Sequence, residues 1–245
     1  MSCRIFLAGA TGVIGRRLVP LLLEAGHSVV GMARSAPKFA WFDGAELVAV
    51  DVFDADSVAR AVCAAKPDVI IHQLTDLSGI TDPASRGVAR QRNARIRTEG
   101  TRNLVRAAQA ANVSRVIAQS IAWVYAPGRT PHIETDPLDM APDSPQAITI
   151  RGVVALEHAV LHSPPIAGTV LRYGQLYGPG TASDKPDGSA PLHVDAAAFA
   201  ALLAVEQGAA GIFNIAEPGG EVAIEKAVSV LHWSADMRLP NHLGR

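Results

Sequence analysis

The chain has 245 residues, 49% of them hydrophobic, and a formal charge of −1 at pH 7. That is enough apolar material for a full core, most economically in one domain, and the near-neutral balance gives no electrostatic reason to expect nucleic acid or an anionic membrane as partner. No run approaches the ~18 apolar residues that span a bilayer, and the N-terminal apolar run is too short for a signal h-region. Cys3 and Cys63 lack CxxC spacing and read as buried thiols, which fits a reducing cytoplasm.

Ile5-Phe6-Leu7-Ala8 predicts a buried strand, and Gly9-Ala10-Thr11-Gly12-Val13-Ile14-Gly15 directly after it predicts a sharp turn into a helix. Such a junction cradles phosphate. Gly9 allows the tight turn, Gly12 lets the backbone approach a pyrophosphate, and Gly15 lets the helix pack close, so that N–H groups and the positive dipole end face the anion. The spacing is one residue looser at its start than the dinucleotide fingerprint, so an ordinary glycine turn in a βαβ unit is its competitor; no Gly-Lys-Ser/Thr follows, which excludes a P-loop.

Leu18, Leu21, Leu22 and Ala25 continue at helical spacing, Gly26 and His27 break it, and Ser28-Val29-Val30-Gly31-Met32 is a second apolar run. Further strands are expected at Glu46–Val50, Asp68–His72, Ser114–Gln119, Gly168–Arg172 and Gly211–Ile215. Helices are expected at about Asp54–Ala65, Arg86–Ala111, Ile148–His162, Asp195–Glu206 and Glu221–Leu231. The strands are continuous apolar runs separated by crossover helices, the pattern of a parallel sheet covered on both faces. Ala126–Pro145 carries five prolines and reads as a long loop, either a substrate flap or a plain surface connection.

Several separate blocks resemble the extended short-chain dehydrogenase/reductases, the NAD-dependent epimerase/dehydratase group. They are Gly9 to Gly15, Asp51-Val52, Asp68-Val69-Ile70-Ile71-His72, Gly100-Thr101-Arg102-Asn103-Leu104, Ser120, Leu171-Arg172-Tyr173-Gly174-Gln175-Leu176-Tyr177-Gly178-Pro179-Gly180 and His193-Val194-Asp195. The resemblance implies an α/β, Rossmann-like doubly wound parallel sheet spanning 1–245 as one NAD(P)-binding domain. Residues about 174–193 and 216–245 would form a small, reduced C-terminal substrate lobe. It implies a cofactor site of Gly9, Thr11, Gly12, Val13, Ile14 and Gly15, with Asp51 and Val52 at the adenine. Gln73, Leu74, Thr75, Tyr173, Gln175 and Leu176 would lie along the nicotinamide side. Asp51 equally suits capping the next helix, and His72 reads as a satisfied core histidine.

In NAD enzymes an acid ending the second strand bonds the ribose 2′-hydroxyl, whereas here the strand runs into Arg34. A guanidinium suits a 2′-phosphate, and Arg16 or Arg17 could add charge, so NADP(H) is expected over NAD(H); the alternative is that Arg34 is an ordinary surface arginine. No His/Cys/acid cluster has metal-ligand spacing, so no metal is expected.

The family's catalytic Tyr-x-x-x-Lys pair is missing. Counted from Glu157, Thr149 and Val153 stand in its place, and an alkyl hydroxyl beside valine is a poor proton donor. Ser120 and Tyr125 remain as candidate catalytic residues, with turn-capping and core packing as their structural alternatives. The arginine-rich stretch Arg86, Arg90, Arg92, Arg95, Arg97, Arg102 and Arg106 has no interleaved aromatics and reads as a solvated or dimer-contacting face, not a nucleic-acid stripe; Arg97 stands where the family usually has asparagine. The expected function is an NADP(H)-binding oxidoreductase with an atypical site for a small carbonyl or sugar-like substrate, possible as a homodimer. A non-catalytic NADP(H) redox sensor is the alternative.

Overall fold

Crossover helices set the topology. In a computed structural model describing residues 2–35, 42–77, 80–144, 146–240 and 242–243, the chain order is β1 (Arg4–Ala8), α1 (Gly15–Glu24), β2 (Ser28–Ala33), β3 (Glu46–Ala49), α2 (Ala55–Ala65) and β4 (Val69–His72). Then follow α3 (Arg86–Arg95), a π-helical turn (Ile96–Gly100), α4 (Thr101–Ala110), β5 (Arg115–Ile121), α5 (Ala147–Leu161) and β6 (Ala167–Tyr173). The chain continues with β7 (Gln175–Tyr177), β8 (Pro191–His193), α6 (Val194–Gln207), β9 (Gly211–Ile215) and α7 (Glu225–Leu231). Pro145, which ends the expected loop, and Asn241, Gly244 and Arg245 of the expected lobe lie outside the described residues.

Seven strands form one sheet in the order β3-β2-β1-β4-β5-β6-β9, every pair parallel. The chain winds outward from β1 to β3, returns to β4 beside β1, and winds the other way, so the switch point lies between β1 and β4. Ligands of such sheets bind at the carboxyl ends of the strands at that point. One face packs Ile5, Leu7, Ile71, Ile117 and Leu171 against α1 and α6; the other packs Phe6, Ile70, Val116 and Val170 against α2, α4 and α5. Burial on both faces is why the middles of these strands are apolar on both sides.

Local chemistry fixes the details. Asp54 caps α2, its carboxylate accepting from the Ser57 N–H at 3.0 Å, so the capping role open to Asp51 falls to Asp54. The Asp51 carboxylate instead accepts from the Phe53 N–H at 3.0 Å in a local turn. α7 begins later than periodicity suggests, because Glu221 and Ala223 bond the backbone of His132. β7 and β8 form a separate two-stranded parallel sheet within the stretch, about 174–193, expected in the substrate lobe. Both cysteines are free, but Cys63 is exposed on α2 and Cys3 is half-buried ahead of β1, correcting the expectation of two buried thiols. No described helix is long and apolar enough to cross a membrane.

Candidate functional site

The glycine turn follows β1 at the switch point. Gly9 has φ +92° and donates to the Met32 carbonyl at 3.0 Å, while Gln73, just past β4, donates to Ala8 at 2.8 Å. A Cβ on Gly9 would lie 2.8 Å from the Gln73 backbone, and one on Gly15 would collide with the Gly9 and Ala10 carbonyls. These glycines are therefore required for close packing as well as for the turn. No side chain caps α1. Arg16 donates to the Gly12 carbonyl at 2.9 Å and Arg17 and Leu18 donate to Ile14, so the N–H groups left for an anion are those of Val13, Ile14 and Gly15, and Gly12, which is exposed, presents no side chain above them. This uncapped, glycine-lined helix start fits a pyrophosphate.

The other residues expected at a cofactor gather along the same edge. Arg34 directly follows β2, is exposed, and has no hydrogen bond or ion pair to another described residue. Of the two arginines at the start of α1, Arg17 is committed elsewhere: it pairs with Asp195 at 2.7 Å and bonds the carbonyls of Val13 and Pro179. Arg16 is exposed, and its guanidinium would be 3.4 Å from a Cβ on Gly180. Val52 is buried against Gly100, and Thr75 is exposed. The amide of Gln73 donates to the Tyr173 hydroxyl at 3.4 Å, leaving its oxygen as a buried acceptor without a partner. Burial pushes the Tyr173 pKa well up, so its hydroxyl stays protonated. Gln175 uses its side-chain oxygen to accept from the Ala190 N–H at 3.0 Å, tying β7 to the start of β8, and Leu176 is half-buried beside it.

Toward β5, β6 and β9 the edge becomes a buried polar layer. Register aligns Ser120 with Arg172 and Arg172 with Asn214, and pairs His72 with Ala118, so His72, Ser120, Arg172 and Asn214 share the face covered by the π-turn and α5. Glu157 of α5 enters this row. Its Oε1 accepts from Ser120 at 2.8 Å and from Arg172 Nε at 2.9 Å, and its Oε2 accepts from Arg172 Nη2 at 2.7 Å. The two charged side chains are 3% and 7% exposed, so water cannot replace either partner.

The other edge of the guanidinium, at Nη1, donates to the Tyr125 hydroxyl at 2.8 Å and the Glu134 carbonyl at 3.2 Å, and Tyr125 donates onward to Asn214 Oδ1 at 2.6 Å. The Tyr125 pKa lies above its ordinary value, chiefly through burial, with Arg172 opposing. Ser120 and Tyr125 thus each have the hydroxyl proton engaged by a partner inside the layer. The proline-rich loop is pinned over the same edge. Ala126 bonds Pro137, Asp139 bonds Val124, and the Glu134 carboxylate accepts from the Asn214 N–H at 3.0 Å.

His72 is fully satisfied: Nδ1 accepts from the Leu74 N–H at 3.2 Å, which leaves Nε2 protonated toward Thr101 Oγ1 at 3.0 Å. Burial first, then the charge of Arg97, lowers its pKa to about 4. On α5, Thr149 is half-buried and Val153 fully buried, and the one charged residue of that turn, Arg151, is exposed.

Among the arginines, Arg92 and Arg95 pair with Asp76 and Glu99, and Arg102 and Arg106 are exposed, as a solvated face requires. Arg97 departs from it. It is 5% exposed, on the buried side of the π-turn. Glu157 and Arg97 both carry more of the site than their sequence context suggests. A usable signal was the four-residue spacing Ala89, Asn93, Arg97, Thr101, which places Arg97 on the helix stripe facing the core.

A parallel sheet wound in two directions, with a glycine-lined helix start at its switch point, defines a dinucleotide-binding α/β protein. The model of the NAD dependent epimerase/dehydratase family matches residues 5–201, and the chain belongs to that family. The 3-diazoavenalumate denitrifying reductase of a Streptomyces species is 42% identical over 235 residues, covering 87% of this chain and 76% of that protein. The 3-beta-hydroxysteroid dehydrogenase of Mycolicibacterium neoaurum is 32% identical over 114 residues, 46% of this chain and 31% of its own. Among solved structures, the Bordetella bronchiseptica enzyme WbmG in complex with NAD and UDP has a TM-score of 0.75 at 19% identity, over 98% of this chain and 91% of that one. This last likeness concerns the fold.

Removing one member of the buried ion pair tests the polar layer. Glu157→Gln leaves the Arg172 guanidinium without its counter-charge and is expected to lower unfolding free energy in urea by about 3–5 kcal/mol. Glu157→Gln combined with Arg172→Met should recover much of that loss; equal stability of Glu157→Gln and the parent chain would remove the pair from the account.

Proposed function

We propose that this chain is an NADPH-dependent reductase whose substrate accepts hydride without needing a proton from the protein, an aryl diazonium group that is lost as N2. The observation that carries the reading is the state of the hydroxyls. α5 offers Thr149 and Val153 where the family's tyrosine and lysine would stand, and the protons of Ser120 and Tyr125 are engaged by Glu157 and Asn214. A carbonyl or sugar-like substrate, as the family's ordinary chemistry suggests, needs a proton at oxygen as hydrogen reaches carbon. A diazonium group does not: R–N2⁺ gains a hydride at carbon, the C–N bond breaks, and its electron pair leaves with N2, giving R–H. The name of the Streptomyces relative, a denitrifying reductase of a diazo compound, supports this class of acceptor.

In this reading Gly9, Thr11, Gly12, Val13, Ile14 and Gly15 hold the pyrophosphate, and Arg34 holds a 2′-phosphate. Asp51 and Val52 meet the adenine; Gln73, Leu74, Thr75, Tyr173, Gln175 and Leu176 line the nicotinamide side, where the orphaned Gln73 oxygen can accept a hydrogen bond. Bound there, the dihydronicotinamide supplies the hydride. Ser120 and Tyr125 act through Glu157 and Arg172, fixing the floor of the site without releasing protons. The second reading, an NADP(H)-binding redox sensor without turnover, is favoured by the same engaged hydroxyls.

Two outcomes follow. Arg34→Ala should weaken NADPH by roughly 10- to 150-fold, about 1.5–3 kcal/mol, and leave NADH nearly unchanged in a fluorescence titration; equal losses for both cofactors would refute the assignment. With an arenediazonium salt, NADPH oxidation should match N2 release one to one, while ketones and sugar nucleotides give no turnover. Binding of NADPH with no oxidation across both panels would favour the sensor instead.

A further inference from the structure

Arg97 is the charged group to which neither the fold nor the proposed reductase gives a task. It is 5% exposed, and no described residue accepts a hydrogen bond from its guanidinium or pairs with it. The groups it faces are already engaged. Glu157, the carboxylate whose charge it senses, has Oε1 taken by Ser120 and Arg172 and Oε2 by Arg172. His72 is neutral, its one acceptor nitrogen taken by the Leu74 N–H. The layer therefore holds two guanidiniums against one buried carboxylate, and a desolvated cation without a counter-ion is costly to keep. Burial lowers the pKa of Arg97 to about 10, with Glu157 opposing, so it remains a cation at neutral pH.

The guanidinium is nearly but not wholly enclosed. The fully enclosed unpartnered side-chain atoms among the described residues are His27 Nε2 and Gln73 Oε1, so the nitrogens of Arg97 keep the access that remains to this residue. Its neighbourhood is the reacting end of the site: it lies one turn before Thr101, whose hydroxyl meets His72 at the end of β4 at 3.0 Å, and it feels the charge of Glu157, which holds Ser120. Val153 lies one helical turn before Glu157 on the same stripe of α5 and brings no charge. Arg97 thus returns a positive charge to a site that has lost one from α5.

We propose that Arg97 is the receptor for a carboxylate carried by the substrate, bound beside Ser120. A carboxylate satisfies both requirements together, neutralising the charge and matching the planar fork with two parallel N–H bonds, where a neutral hydroxyl would leave the charge uncompensated. The substrate named for the Streptomyces relative is itself a carboxylate, an avenalumate. The proposal rests on the reductase reading for the origin of the ligand, while binding does not depend on turnover.

The test is calorimetric titration of the full chain, with and without NADP⁺, using cinnamate and its primary amide against the parent chain, Arg97→Met and Arg97→Lys. The parent chain should bind cinnamate and Arg97→Met should lose at least roughly tenfold in affinity, the scale of a charge-assisted hydrogen bond. Arg97→Lys should fall between them, and the amide should bind the parent chain and Arg97→Met alike. Without ligand, Arg97→Met should melt at a higher temperature than the parent chain, because a buried unpaired charge has gone; a merely structural arginine would lower it. Equal cinnamate affinity in the parent chain and Arg97→Met, no cinnamate binding by the parent chain, or a lower melting temperature for Arg97→Met would each overturn the proposal. Cinnamate binding that depends on Arg97, without diazonium turnover, would leave the receptor standing and remove the reductase reading.

Discussion

The Glu157–Arg172 pair is the interaction on which the rest of the site depends. A buried guanidinium and a buried carboxylate are tolerable only while each satisfies the other, and here three hydrogen-bonding edges of the pair extend that demand to its neighbours. Ser120 completes the carboxylate, Tyr125 and the Glu134 carbonyl complete the guanidinium, and Asn214 takes the tyrosine proton. A strand from each of β5, β6 and β9, the helix α5 and the loop after β5 are thereby fixed to one polar layer at the carboxyl edge of the sheet. Position is gained at the expense of acidity, because a hydroxyl bound this way is a poor proton source.

That trade separates the two halves of the molecule. Around β1 and β4 the edge is glycine, uncapped helix and exposed arginine, an arrangement suited to a large anion that comes and goes. Around β5, β6 and β9 it is dry, charged and internally satisfied, except at Arg97. A reaction that needs only a hydride and a firmly held substrate fits both halves. A reaction that also needs a mobile proton fits only the first.

The sheet could be read from the chain because its inner strands are buried on both faces, and continuous apolar runs such as Ile5–Ala8 and Val69–Ile71 admit few alternatives. The glycine turn was readable for the same reason, since its conformation is imposed locally. β7 and β8 were not: three residues each, they exist only because Gln175–Tyr177 meets Pro191–His193 across a polar stretch. The task of Glu157 was hidden because its partners come from other strands, and only parallel register brings Ser120 and Arg172 to it. Arg97 was masked by its neighbours, six other arginines on the same helical stretch, of which Arg86, Arg102 and Arg106 are exposed and Arg92 and Arg95 pair with carboxylates.

The most direct measurement of the central claim, hydride transfer without a protein proton, is the origin of the hydrogen in the product. Reduction of an arenediazonium with NADPH deuterated at the transferred position, run in ordinary water, should give product carrying one deuterium. The reverse experiment, unlabelled NADPH in D2O, should give product carrying none. Deuterium from D2O at the carbon that lost nitrogen would contradict the account, because it would mean that a proton from solvent or side chain enters the reaction.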